Sequence, residues 1–195
     1  MTVIFGIKEK DKIILGGDRQ ITDIRGAVDA DERIKIHRVN KCLAIATSGA
    51  EAVGKALLLD IKERGKQDVM VTEDVIGVLE DFYFRCKANG NEGILKMPFH
   101  AIIAGQGREV ENSLISCITK DGEIDAGEQE MMLYPPHDVP QDVCNNIFCN
   151  NYVNFRKEFA ERTVREIADK SMFVSSCGDE WIYSFEHKVW TNIIQ

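Results

Sequence analysis

Thr2 heads an apolar run, TVIFGI, and Asp18 follows sixteen residues later in the stretch GGDRQIT. A threonine hydroxyl is a poor nucleophile at neutral pH and acts as one only beside a base. Each residue also has a plain structural reading. Threonine is common in second position, and an aspartate in a Gly-Asp pair after a strand is usually a turn residue. Arg33, in DERIKI, carries a permanent positive charge and can pair with Asp18 whether or not chemistry follows. Other reactive residue types point less sharply. His37, His100, His137 and His187 fall at no ligand spacing, so no metal site is expected. Gly105-Gln106-Gly107 lacks the residues that complete a phosphate loop and reads as a turn between strands. No cofactor is expected. Cys177, beside Ser175 and Ser176, is expected to be a buried strand cysteine.

The elements that must position these residues belong to a chain of ordinary globular composition. Its 195 residues suit one domain, 1–195, with a core that needs no metal or disulfide staple. The apolar fraction of 44% and charged fraction of 29% are those of a soluble protein. A formal net charge of −8 argues against nucleic acid and anionic membranes as partners. The six cysteines form no CxxC pair, and most lie in apolar runs, which predicts buried reduced thiols. VIFGI is too short for a signal-peptide core and is followed by charges, and no apolar stretch has membrane-spanning length. A cytoplasmic protein is the expectation.

Alternation predicts strands at Val3–Ile7 and Lys12–Gly17, then ERIKIHRV and KCLAIATSG, a block of four. Two helices follow: AEAVGKALLLDIKERG, with Gly65 as C-cap, and TEDVIGVLEDFYFRCKANG, with Thr72 as N-cap. Strands resume at FHAIIAG, at SLISCITKDGEIDA with a hairpin turn at Asp121-Gly122, and at EMMLY. A helical stretch of one or two helices spans roughly 143–170, and its Asn-rich run CNNIFCNNYVN reads as a helix break or subunit contact. MFVSSCG, WIYSFE and KVWTNII are read as closing strands. Runs of hairpin-linked strands alternating with helices predict an α+β, four-layer α/β/β/α sandwich of two antiparallel sheets flanked by helices.

The ordered set TVIFGI, IILGGDRQIT, ERIKI and LAIATSGAEA resembles the proteasome β-subunit and the related bacterial two-ring protease, of the N-terminal-nucleophile (Ntn) hydrolases. The ending REIADKSMFVSSCGDEWIYSF is similar to the family's helix–strand–hairpin close. The resemblance spans most of the chain and rests on colinear spacing. It implies that Thr2 is both nucleophile and, through an α-amine freed by loss of Met1, its own base, an amine having an ordinary pKa of about 8. It implies Asp18 as the aspartate supporting a cation and places the family's lysine on Arg33, which supplies charge but no proton. Lys35 takes that place only if the register shifts. The oxyanion and substrate-binding position falls on Thr47, Ser48 and Gly49, where Thr47 and Ser48 replace the usual glycine and are expected to crowd the site. The late Gly-Ser-Gly element is replaced by EMMLYPPHDV, and the late aspartate falls on Ser175, with Ser176 beside it.

Two functions follow from the resemblance. One is an N-terminal threonine hydrolase acting on peptide or amide substrates, where hydrolysis and transpeptidation use the same residues. The other is a catalytically degenerate proteasome-fold protein serving as a self-assembling or binding subunit, with Met1 in place and the amine blocked. Both imply self-association into a ring-like homo-oligomer.

Overall fold

The computed structural model describes residues 2–22, 28–30, 34–64 and 67–194. In chain order the strands and helices of the first half are β1 (Ile4–Lys8), β2 (Lys12–Asp18), β3 (Ile21–Thr22), β4 (Val28–Ala30), β5 (Ile36–Asn40), β6 (Leu43–Gly49), α1 (Glu51–Glu63) and α2 (Thr72–Ala88). The second half continues with α3 (Glu92–Leu95), β7 (Phe99–Gly105), β8 (Ser113–Lys120), β9 (Glu123–Glu128), β10 (Met131–Tyr134), α4 (Gln141–Asn154), α5 (Phe159–Ala168), β11 (Gly178–Ser184) and β12 (Val189–Ile194).

The strands form two five-stranded antiparallel sheets, ordered β10-β1-β2-β11-β12 and β5-β6-β7-β8-β9, and β3 pairs with β4 as a separate ribbon. Side chains alternate between the two faces of each strand, and three apolar clusters fill the spaces those faces enclose. Ile4, Ile13 and Leu15 of the first sheet meet Ile36, Ala44, Ile102 and Leu114 of the second. Leu57, Val75 and Leu79 of α1 and α2 cover Ile45 and Ile103 on the second sheet's other face. Phe148, Phe159 and Ile167 of α4 and α5 cover Val3, Phe5 and Ile14 of the first sheet. The chain is thus α+β, with two antiparallel sheets and five helices among the described residues, an arrangement compatible with a sandwich.

Phe5 shows how tightly the strand behind Thr2 is held. Its ring lies against Phe148 and Phe159 at centroid separations of 5.3 and 5.6 Å. It also crosses Gly16, where a Cβ would come within 2.1 Å of the ring. Burying one such side chain stabilises the fold by about 2 kcal/mol.

Several sequence expectations change on folding. The four early strands do not form one block: β1 and β2 join the first sheet, β5 and β6 the second. Val71, not Thr72, caps α2. The Val71 N–H donates to Asp74 Oδ2 at 3.0 Å, while Thr72 is already helical and its N–H donates to Gln106 O at 3.0 Å. Arg64 closes α1, and Gly65 lies outside the described residues. The stretch 143–170 is two helices, and the Asn-rich run lies inside α4, with the break following at Phe155. Of MFVSSCG only Gly178 is in a strand, as the first residue of β11, and local side-chain bonds compete for the backbone before it. Ser175 Oγ, for instance, donates to Cys177 O at 2.8 Å. Cys177 is accordingly exposed, as is Cys149, and the other four cysteines are buried free thiols. Asp121 and Gly122 do form the β8–β9 hairpin turn, with φ of 51° and 75°. Such a tight turn requires positive φ at both central residues. Among the described residues no helix is long and apolar enough to cross a membrane.

Candidate active site

The β1–β2 register creates the site. Ile4 pairs with Gly17, and one step beyond the ladder the Asp18 N–H donates to Val3 O at 3.1 Å. That step carries Thr2 to Asp18. Thr2, only 2% exposed, donates its hydroxyl to Asp18 Oδ1, and the Val3 N–H donates to the same oxygen at 3.0 Å. Asp18 Oδ2 accepts the Gln20 N–H at 3.0 Å and, more weakly, the Ser175 N–H at 3.5 Å. Asp18 is fully buried. Burial pushes its carboxyl up to about 7, against the pull of the Lys35 charge and of the Gln20, Val3 and Ser175 amides.

Lys35 is therefore the described cation that acts on Asp18. Lys35 lies beside Gly17, the neighbour of Asp18: a Cβ on Gly17 would stand in ordinary contact with the Lys35 Cβ, at 3.7 Å. Arg33, the residue expected at this place, lies outside the described residues. The signal for Lys35 was present in the sequence, since the Lys-Ile pair that opens a strand in the resembled pattern is Lys35-Ile36, with β5 starting at Ile36.

No protein-family model and no curated protein matches this chain. The site's chemistry therefore rests on its own geometry. It joins a hydroxyl to a buried carboxyl that accepts from it and to a cation acting on that carboxyl.

The end of β6 lies beside Lys35. The Thr47 N–H donates to Lys35 O at 3.0 Å, so this amide is occupied in the structure. The Thr47 side chain does not crowd the site. It faces α1, where a Cβ on Gly54 would stand 3.5 Å from Thr47 Oγ1. Gly49 has a structural reason of its own. It has φ of 92°, and a Cβ would lie 2.3 Å from Pro98 O, just where the Ala50 N–H donates to that same carbonyl at 2.9 Å. Gly49→Ala is expected to destabilise the fold by about 2 kcal/mol or more. A urea midpoint unchanged from wild type would contradict this.

Ser175 reaches Asp18 through its backbone, and its hydroxyl turns to Cys177 O; Ser176 is exposed. Sequence reasoning did not find the pair beside them, in which the Arg19 guanidinium grips Asp179 with Nε–Oδ2 of 3.1 Å and Nη2–Oδ1 of 2.5 Å. Only the β2–β11 register, with Gly17 opposite Asp179, brings these residues together. Among the described residues no group of three or more His, Cys, Asp and Glu side chains is placed to hold a metal ion.

The raised Asp18 carboxyl has a measurable consequence. An unfolded aspartate releases its proton near 3.8, whereas the folded one keeps it until about 7. Its contribution to stability is therefore fully present below about pH 4 and is lost as pH rises through 7. The span corresponds to about 4 kcal/mol. Urea unfolding of wild type and Asp18→Asn at pH 5 and pH 8 checks this: the wild type is expected to lose ground to the variant at the higher pH. Parallel behaviour of the two would contradict it.

Proposed function

We propose that this chain is a proteasome-like N-terminal threonine hydrolase that cleaves peptide or other amide bonds through Thr2 once Met1 is removed. The observation that carries the reading is the Thr2 hydroxyl held on Asp18 with the Lys35 charge acting on that carboxylate. The finer fold assignment, an Ntn-hydrolase α/β/β/α sandwich, belongs to the same proposal and is supported by the sheet orders and the helices on both outer faces.

In this reading Thr2 Oγ1 attacks the substrate carbonyl, and its proton passes to the freed α-amine. Asp18 and Lys35 set the electrostatics of that amine. The carbonyl oxygen, now negative, is received by N–H groups at the Thr47–Gly49 strand end, where Thr47 exchanges its bond to Lys35 O for one to the oxyanion. Collapse expels the leaving amine, which takes the proton, and leaves an ester on Thr2. Water resolves it to the acid, and an amine in water's place completes transpeptidation.

The test is a peptide vinyl sulfone followed by intact-mass and peptide-mapping analysis. A protein lacking one methionine and carrying the adduct on Thr2 supports the reading. Absence of an adduct on Thr2, with Met1 retained, selects the second reading, a non-enzymatic proteasome-fold subunit. That alternative is favoured by the burial of Thr2 and the occupied Thr47 amide.

Either reading includes ring-like self-association. Leu59 on α1, Phe84 on α2 and Val153 on α4 are 54%, 72% and 71% exposed. Apolar side chains left this open on the outer helices are candidates for burial against neighbouring copies. Light scattering is expected to give a mass several times that of the 22.0 kDa chain. A single-chain mass at all concentrations would contradict it.

A further inference from the structure

We propose that two copies of this chain pair through α2 about a two-fold axis, with Phe84 of each entering the cleft at Gly77 of the other. The inference goes beyond the hydrolase reading and does not rest on it.

α2 turns Val75, Leu79 and Tyr83 into the core and leaves its opposite face to solvent. On that face Gly77 and Phe84 stand seven residues apart, about 10 Å along the axis and nearly in line. Glycine is a poor residue for a helix interior, and no neighbour within the chain requires one here. Among the described residues, a Cβ on Gly77 would meet no atom within 4 Å. The open space belongs to a cleft of about 680 Å3, with Val69 and Met70 in its wall and Glu73, Asp74 and Arg108 around it. Phe84 is the counterpart, a ring left 72% exposed.

A notch and a knob on one helix face are self-complementary. When a second α2 lies antiparallel across the first, each Phe84 meets the other copy's Gly77, and both contacts form at once. That is the condition for a closed two-fold pair, in which one patch serves both copies.

Charge selects the same arrangement. The Gly77 end of the helix is acidic, with Glu73 and Asp74, and the Phe84 end carries Lys87. Glu73 is held in place, its two oxygens accepting the Arg108 N–H at 3.0 and 2.9 Å. Inverting the second helix sets Lys87 of each copy beside Glu73 of the other, whereas a parallel pair would set Glu73 on Glu73. At the centre Asp81 is already joined to Arg64, with Nη2–Oδ2 of 2.6 Å. Glu80, which is exposed, meets its own copy across the axis, and this repulsion opposes the contact.

The measurement is sedimentation of the full-length protein across a concentration series. Phe84→Ser and Lys87→Glu are each expected to weaken the pairing by about tenfold or more. Glu80→Gln removes the repulsion at the axis and is expected to strengthen it by about twofold or more. Gly77→Leu separates pairing from folding. It fills the notch and weakens association, yet replacing a helix glycine raises the melting temperature by about 3 °C at dilutions where the copies are apart.

Carbodiimide coupling of mixed isotopically light and heavy protein completes the test. A Lys87–Glu73 isopeptide joining a light copy to a heavy one confirms the contact, because within one copy these residues lie about 21 Å apart along α2. Association that ignores Phe84→Ser and Gly77→Leu overturns the inference, as do mixed links at other positions only. In both cases assembly through other faces stands. Wild type sedimenting as a single chain at every concentration overturns the pairing and the ring-like assembly together. Thr2 acylation, read on the same preparations, decides the hydrolase reading whichever way the pairing falls.

Discussion

Thr2→Ala is expected to reduce amide hydrolysis to the assay floor, a loss on the order of a thousandfold or more, while leaving the fold in place. The variant removes one hydroxyl and one hydrogen bond to Asp18. The Val3 and Gln20 amides still hold that carboxylate, so its environment survives. The cost in stability should stay near about 1 kcal/mol, that of a single buried hydrogen bond. Thr2→Ser, which keeps a hydroxyl on the same Cβ, should retain most of the activity. The check is turnover of a fluorogenic peptide by wild type, Thr2→Ala and Thr2→Ser at matched methionine removal. Full activity in Thr2→Ala would mean that the chemistry lies elsewhere or that the preparation carries another hydrolase.

Lys35→Met is expected to slow Thr2 acylation by about a hundredfold or more at neutral pH, within the range by which positioned acid–base groups contribute. Methionine keeps an unbranched side chain and removes its charge. Lys35 is the charge that pulls the Asp18 carboxyl down against its burial, so without it the carboxyl rises further from about 7. At pH 7 the site would then hold a neutral acid where the wild type is about half ionised. The acid limb of the acylation profile should move to higher pH. Arg33→Met is the companion variant that separates the two cations: Lys35 is the cation acting on Asp18 among the described residues, and Arg33 lies outside them. Equal effects of the two would return the role to Arg33 or divide it between them. A Lys35→Met rate within threefold of wild type at every pH, against the roughly hundredfold expected, would remove the lysine from the mechanism.

Local pattern was enough for most of the elements. Alternation along TVIFGI and KIILGG, the Asp121-Gly122 turn and the helical spacing after Gly49 are short-range signals, set within a few residues by side-chain direction and backbone sterics. Thr2 and Asp18 were legible for the same reason: they close a hairpin, and a hairpin's register follows from its turn. Colinear spacing carried the family resemblance and, with it, the expected cation. That cation, Arg33, lies outside the described residues, and Lys35, two positions on, is the described cation acting on Asp18.

Other features exist only where distant parts of the chain meet. Nothing local tells β1 and β2 to pair with β10 and β11 instead of with β5 and β6, because apolar strands of similar length are interchangeable until the helices choose which face to cover. Arg19 and Asp179 are 160 residues apart, and their pairing exists only through the β2–β11 register. The same register sets the Ser175 amide on Asp18. The lifted Asp18 carboxyl is a property of burial, which no residue possesses alone. Residue order was sufficient to set a threonine and an aspartate at the head of a hairpin. Their burial, their cation and the ion pair beside them came from packing, because charge and desolvation act through space and not along the chain.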